Sequence, residues 1–262
     1  MPDYPFRMLV TTPAIILSTL RYSESSKIVR LATREHGVQS AIAKGALRPR
    51  SRFGASLQLL SEGTAHIIIL QRRELQLLTA FDVGRVHLGL AADLARYAAA
   101  MAMAEVMLKF APPDPDPAVF DFLVTALGVL EEATAEEIDA LGLRLLWLLV
   151  SALGFAPALE ACVRDGNPVR ETGELAFSTH EGGALCAVCA TRFTAARLPQ
   201  EARDDLAALL DPGSPLPALD VSHAAAHRRL LARFITHHLG EGSTLPALAF
   251  WEQQGREGGE RR

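Results

Sequence analysis

The sequence predicts an α+β multidomain protein, with a β-rich module first and helices behind it. Three observations carry the prediction. Up to about Arg85 the chain has short runs of branched residues separated by turn formers; beyond it, apolar residues recur at helical spacing; and paired cysteines then interrupt the helical pattern.

The β candidates are Ala14 to Tyr22, Lys27 to Thr33, Val38 to Lys44, Gly63 to Leu70 and Glu74 to Phe81. Ser23-Glu24-Ser25-Ser26 separates the first two, and His36-Gly37 makes a tight turn into the third. Five short strands suit a small OB-type barrel, in which closure removes exposed edges and leaves one face and its loops for a ligand. Helical spacing follows. Leu90, Leu94, Tyr97, Met101 and Leu108 mark a first helix ending before Pro112, and Phe120, Leu123, Leu127 and Leu130 mark a second. Thr134 with Glu137 has the form of a capping box ahead of Ile138, Leu141, Leu145 and Leu148, a series that stops at Gly154. Ser222 is a candidate cap for a last helix carrying Leu230, Phe234 and Ile235 and ending at Gly240. The domain plan is a barrel over 1–84, a helical domain over 85–160 and 196–250, a finger-like segment over 161–195, and a disordered tail over 251–262. Pro-rich surface connections lie at 112–117 and 211–217.

Composition narrows the class. The 262 residues are 49% hydrophobic, enough for more than one core. The longest charge-free apolar run, Leu145 to Leu159, is too short to span a bilayer, so a buried helix is expected there. Nothing resembling a targeting signal opens the chain, which points to the cytoplasm. Three cysteines argue against a disulfide framework and for reduced thiols or a metal site. The net charge of −4 hides a strong asymmetry. Met1 to Arg85 carries 12 Lys and Arg against 6 Asp and Glu, Val86 to Glu160 has 3 against 11, and the remainder has 11 against 13. One end of the chain therefore suits phosphates while the middle repels them.

The most informative local feature lies in that basic end. Lys44, Arg48, Arg50 and Arg52 fall in one strand end and loop, with no acidic residue from His36 to Ser61. Clustered cations beside a barrel neutralise phosphates and release condensed counterions. Lys27, Arg30 and Arg34 are candidates to extend the patch, because alternate strand positions share a face. Tyr22 and Phe53 are the only plausible stacking partners, so an electrostatic grip is expected in place of sequence readout. A solvated loop without a ligand is the bland alternative.

Cys162-x-x-Asp165 and Cys186-x-x-Cys189 form a second constellation, with Gly182-Gly183 just ahead of the latter. The spacing suits a zinc knuckle, with Asp165 or His180 as fourth ligand; free thiols in a degenerate, metal-free finger are the alternative. His223 and His227, one helical turn apart, lack a third ligand and read as surface histidines, while Glu131-Glu132 and Glu136-Glu137 read as a solvated acidic face. No phosphate-binding, dinucleotide, serine-hydrolase or kinase signature occurs, and no enzyme is expected.

Ala14-Ile15-Ile16-Leu17, the run Tyr22 to Val29, Thr33 to Gly37, Ala43 to Ala46 and Ser51 to Gly54 together resemble the opening of RecO proteins, a family of bacterial recombination mediators. Leu153 to Leu159 followed by Cys162, Gly182 to Cys189, and Leu231 to Gly240 are similar to later parts of the same family. The resemblance implies an N-terminal OB fold, a helical domain and a small zinc finger. It further implies binding of single- and double-stranded DNA, annealing of complementary strands, and association with RecR and with the C-terminal tail of single-stranded-DNA-binding protein. The combined effect would be to load RecA on coated strands, in the cytoplasm at the nucleoid, without nucleotide hydrolysis. Asp165 stands where the family has a further cysteine. An OB module acting on RNA or through protein contacts alone is the alternative reading.

Overall fold

The computed structural model describes residues 7–70, 73–239 and 244–257. The chain divides into two compact units, 1–91 with 104–131, and 92–103 with 132–262.

Five strands build the first unit: β1 (Arg7–Arg21), β2 (Lys27–Thr33), β3 (Gly37–Ala43), β4 (Glu62–Leu70) and β5 (Leu75–Arg85). They close into a barrel in the order β1-β2-β3-β5-β4, the OB arrangement that the strand count suggested. β1 begins seven residues earlier than the sequence suggests, and its length has a purpose. The half from Arg7 to Ile15 pairs with β4, the half from Ala14 to Arg21 pairs with β2, and an irregularity between Ile16 and Ser18 bends the strand from one partner to the other. β3 and β5 close the barrel in parallel over Ser40–Ala43 and Leu75–Leu78. Inside lie Val10, Ile16, Val29, Leu31, Ile67 and Leu78, joined by Phe53 and Leu57 from the loop between β3 and β4.

Two helices complete this unit: the second half of α1 (Leu94–Phe110) and most of α2 (Pro117–Glu132). α2 buries Phe120, Leu123, Leu127 and Leu130, as its spacing predicts. α1 does not follow its predicted stripe. Leu94 is 56% exposed, while Ala98, Ala99, Ala100, Ala102, Met103, Val106 and Met107 are buried. Small side chains let most of its circumference be covered, so the large residues did not mark the buried side.

His87, just past β5, is buried between two carboxylates. Its Nε2 lies 2.5 Å from Glu62 Oε1 and its Nδ1 2.7 Å from Glu131 Oε2. Glu131 also accepts hydrogen bonds from Arg85 at 2.8 Å and from the Gly89 amide at 2.9 Å. It is thus a half-buried, fully engaged partner at the end of α2 and not part of a solvated acidic face. Burial opposes the charge on His87, but the Glu62 and Glu131 hydrogen bonds outweigh it and raise the pKa. A raised folded-state pKa stabilises fully below the unfolded value near 6.5, and that contribution fades as pH climbs through the folded value. Thermal unfolding between pH 6 and 9 should show the protein losing stability on the alkaline side. His87→Gln should flatten that limb and cost about 1–3 kcal/mol at pH 6. Parallel pH profiles for the two proteins would refute the clamp.

The second unit is built on α3 (Ile138–Ala152), buried on nearly every side. With it stand α4 (Gln200–Leu210), α5 (Val221–His238), α6 (Pro246–Glu257) and a three-stranded sheet in the order β7-β6-β8, from β6 (Leu175–Ser178), β7 (Gly183–Leu185) and β8 (Ala196–Leu198). Trp147 of α3 meets Phe234 of α5 edge to face, with centroids 5.1 Å apart. The buried Arg144 guanidinium donates to the carbonyls of Ala208 at 2.9 Å and Pro215 at 2.8 Å, tying the Pro-rich connection to the core.

Several local expectations are corrected here. Thr134 and Glu137 do bond, the Glu137 carboxylate accepting from the Thr134 amide at 3.0 Å, but α3 starts after both, so the pair closes the preceding turn. α5 is capped by Asp220, whose side chain accepts from the Ser222 and His223 amides at 2.8 Å, and Ser222 already lies inside the helix. His227 is 2% exposed and is no surface histidine. Its burial holds the imidazole pKa down to about 4. The supposed disordered tail is helical through Glu257, because α6 lays Leu248 and Trp251 into the core. Its remaining residues, 258–262, and the predicted stop at Gly240 lie outside the described residues. No helix among the described residues is long and apolar enough to cross a membrane.

Candidate nucleic-acid interface and metal centre

The basic segment becomes the loop 44–61 between β3 and β4, a series of tight turns. The amide of Arg48 donates to the carbonyl of Gly45 at 3.1 Å, Ser51 to Arg48 at 3.0 Å and Gly54 to Ser51 at 3.1 Å. Leu47 N–H also donates to Ser25 O at 3.0 Å, fixing the loop to the β1–β2 turn. Ala46, Phe53 and Leu57 point into the barrel, and Lys44, Arg48, Arg50 and Arg52 remain exposed. Anchors at Ala46 and at Phe53 and Leu57 bracket the three arginines. Phe53 is therefore a core residue, 3% exposed, and offers no face to a base, although the Arg52 guanidinium sits 5.3 Å from its ring centroid. Tyr22, 57% exposed, remains available.

The proposed extension of the patch divides. Lys27 shares its strand parity with inward-facing Val29 and Leu31, pairs with Ala43 next to Lys44, and so lies at the loop end of the barrel. Arg30 and Arg34 have the opposite parity and turn toward helices. Arg30 donates to Leu108 O at 3.0 Å, and Arg34 makes a two-pronged contact with Asp121, both bonds 2.8 Å. Asp121 raises the Arg34 pKa first by hydrogen bonding and then by charge. These two arginines secure the barrel unit's own helices and are not brought to the loop.

The sequence reading missed Arg7 and Arg73. Pairing of β1 with β4 sets Arg7 opposite Leu70, so Arg7, Lys44 and Arg73 rim one cleft of about 730 Å³ with Ile42, Ile68, Leu70 and Leu75 in its wall. No local pattern links residues so far apart; only the strand register does.

In the second unit, Cys162, Asp165, Cys186 and Cys189 converge, their ligand atoms all within 4.8 Å of one another. Asp165 Oδ2 accepts from the Cys186 thiol at 3.4 Å and the Cys189 thiol at 3.3 Å. Gly166, at φ +70°, turns the chain sharply after the first half, and the Cys189 amide points at Cys186 Sγ at 3.4 Å. Gly183 passes the backbone of Ala158 so closely that no Cβ would fit. Tetrahedral zinc–sulfur bonding places ligand atoms about 3.8 Å apart, so the cluster needs little adjustment to take such an ion. Hydrogen bonds from Cys162, Asn167 and Cys189 hold the Asp165 carboxyl well below the usual carboxylate range. Burial, then Asp165, pushes the Cys189 thiol up to about 12. A divalent cation reverses that second effect by favouring thiolates. His180 is not among the four. It stacks on His237 at 3.9 Å between ring centroids and contacts Glu181, so of the two candidates Asp165 completes the set among the described residues.

Two family models cover nearly all of this chain. Recombination protein O N terminal matches residues 8–85 and Recombination protein O C terminal matches residues 91–245. The chain is 35% identical over 238 residues to the DNA repair protein RecO of Anaeromyxobacter dehalogenans strain 2CP-C, covering 88% of this chain and 92% of that protein. It is 30% identical over 256 residues to the DNA repair protein RecO of Nocardioides sp., covering 94% and 100%. To the protein of the same name from Thermobifida fusca it is 36% identical over 182 residues, covering 67% and 71%. An OB barrel with a cationic loop, a helical unit and a thiol cluster thus coincide with matches running from residue 8 to residue 245, and the chain belongs to the recombination protein O family.

Proposed function

We propose that this protein acts in DNA repair and homologous recombination by binding single- and double-stranded DNA, annealing complementary strands and, with RecR, helping load RecA onto strands coated by single-stranded-DNA-binding protein. The observation that carries the reading is the loop of exposed Lys44, Arg48, Arg50 and Arg52 held on the barrel by buried Phe53 and Leu57. Annealing needs no catalytic group. Cations screen the repulsion between two strands and raise their local concentration, and base pairing supplies the specificity. The protein is therefore read as a non-enzymatic mediator, cytoplasmic and associated with the nucleoid, which also meets the C-terminal tail of single-stranded-DNA-binding protein.

Oligonucleotide titration at increasing salt tests the reading. Affinity should fall steeply between about 50 and 200 mM salt, and annealing of complementary strands should exceed the spontaneous rate. Absence of binding even in dilute buffer would reject it, and a strong preference for RNA would favour the alternative OB regulator.

Cys162, Asp165, Cys186 and Cys189 are the residues that would hold zinc, as a structural ion that fastens the finger to the fold. Purified protein should contain about one zinc per chain, and Cys186→Ser should lose it and increase proteolysis within 162–190. Metal-free native protein with an intact finger would end this assignment.

A further inference from the structure

α5 holds three arginines and four histidines and no acidic residue in its eighteen positions. Arg228 and His227 are buried: Arg228 pairs with Asp139 and lies 5.7 Å from the Trp251 ring centroid. His223 pairs with Asp220 and His238 packs against Phe234, while the two remaining arginines face the other way. Arg229, Arg233 and His237 recur every fourth residue, on the side of the helix that also presents Ser222, Ala226 and Thr236. Four-residue spacing puts neighbouring side chains about 6 Å apart in a straight row. Among the described residues neither Arg229 nor Arg233 has a hydrogen-bond or ion-pair partner, so the charge is not consumed by the fold.

A second observation stands at the end of the row. His237 stacks on His180 with centroids 3.9 Å apart and planes inclined by 31°, and the His180 side chain is 69% exposed. The nearest carboxylate, Glu181, is largely buried, 3.0 Å from Arg164 and 3.4 Å from His180. An exposed imidazole face is a surface on which an unstacked base can rest. Between its charged positions the face carries Ser222, Ala226 and Thr236, small or polar side chains and not the large apolar ones against which a peptide helix docks. Evenly spaced cations ending in an aromatic platform fit a single strand, whose phosphates repeat and whose bases are free to stack.

We infer that α5 forms a second single-strand binding site, with Arg229, Arg233 and His237 on the phosphates and His180 under a base, separate from the cationic loop of the barrel. The inference rests on the proposed function, because a protein that anneals gains from holding two strands at once. Each unit then carries its own grip on a strand. Arg233 is exposed and Arg229 half-buried, and neither guanidinium is tied to the fold by a hydrogen bond or ion pair among the described residues.

The test uses the full chain and two non-complementary oligonucleotides with different labels, scored for strands bound per chain, beside an annealing assay with complementary strands. The variants are Arg229→Glu/Arg233→Glu, the milder Arg229→Gln/Arg233→Gln, and Arg48→Glu/Arg50→Glu/Arg52→Glu. Wild type should take up two strands. Either α5 variant should take up one, with the salt slope reduced by about 1.4 and annealing slowed at least tenfold, and the loop variant should keep the α5 strand. His180→Ala should weaken the second strand about tenfold without changing the salt slope. Two strands retained by both α5 variants would overturn the inference, as would a wild type that holds one strand only, and both results leave DNA binding by the loop standing. Wild-type protein that ignores DNA would defeat the proposed function and this site with it. A polyglutamate peptide that binds wild type but not the α5 variants, while strand stoichiometry is unchanged, would assign the row to an acidic protein and overturn it too.

Discussion

Reversing Arg48, Arg50 and Arg52 to glutamate should lower affinity of the barrel site for single-stranded DNA by at least about 100-fold at low salt, similarly for every sequence. Three lost phosphate contacts reduce the salt slope of that site by about 2, and the introduced carboxylates add repulsion. All three side chains are exposed and the loop's anchors are untouched, so the fold should survive. Arg48→Gln/Arg50→Gln/Arg52→Gln separates the effects: it removes the contacts without the repulsion and should show the same change of slope with a smaller loss. Arg34→Gln is the informative contrast. Arg34 is committed to Asp121, so its removal should leave strand affinity within about twofold. Fluorescence anisotropy over a salt series measures all of these. An Arg34 effect equal to that of the loop would mean the strand runs along the helix-covered side of β2, and the loop would lose its place as the interface.

How much of this was legible in sequence depends on how local the cause is. The barrel was legible because period-two runs and turn residues act over a few positions, and the thiol cluster because its spacing is a ligand spacing. The fourth ligand was not decided by spacing. Asp165 and His180 are both near the cysteines in sequence, and only the turn at Gly166 and the stacking of His180 on His237 separate them. Charge was legible as composition but not as allegiance. Arg30, Arg34 and Arg52 look alike in the sequence, and strand parity sends the first two to helices while the third stays in solvent. The same blindness hid Glu131, whose bonds to His87, Arg85 and Gly89 depend on partners more than forty residues away. Where tertiary pairing decides, a one-dimensional pattern reports residue type but not role.

Phe53 carries the other large expected effect, one that links stability to binding. It sits midway along the 44–61 loop, 3% exposed in the barrel core beside Leu57 and Ala46, and follows directly on the cations it positions. Phe53→Ala should cost about 3–5 kcal/mol in urea unfolding, the loss for emptying an aromatic site in a packed core. It should also weaken DNA binding about tenfold although every cation remains, because the loop must then be ordered by the strand itself. Phe53→Leu refills most of the volume and should recover most of both losses. Stability and affinity are therefore expected to move together across the three proteins. That coupling distinguishes a preorganised cationic surface from a loose basic tether, for which affinity would follow charge alone. Full stability in Phe53→Ala would show that the ring does not anchor the loop. Reduced stability with unchanged affinity would show that the cations grip DNA without needing a fixed arrangement.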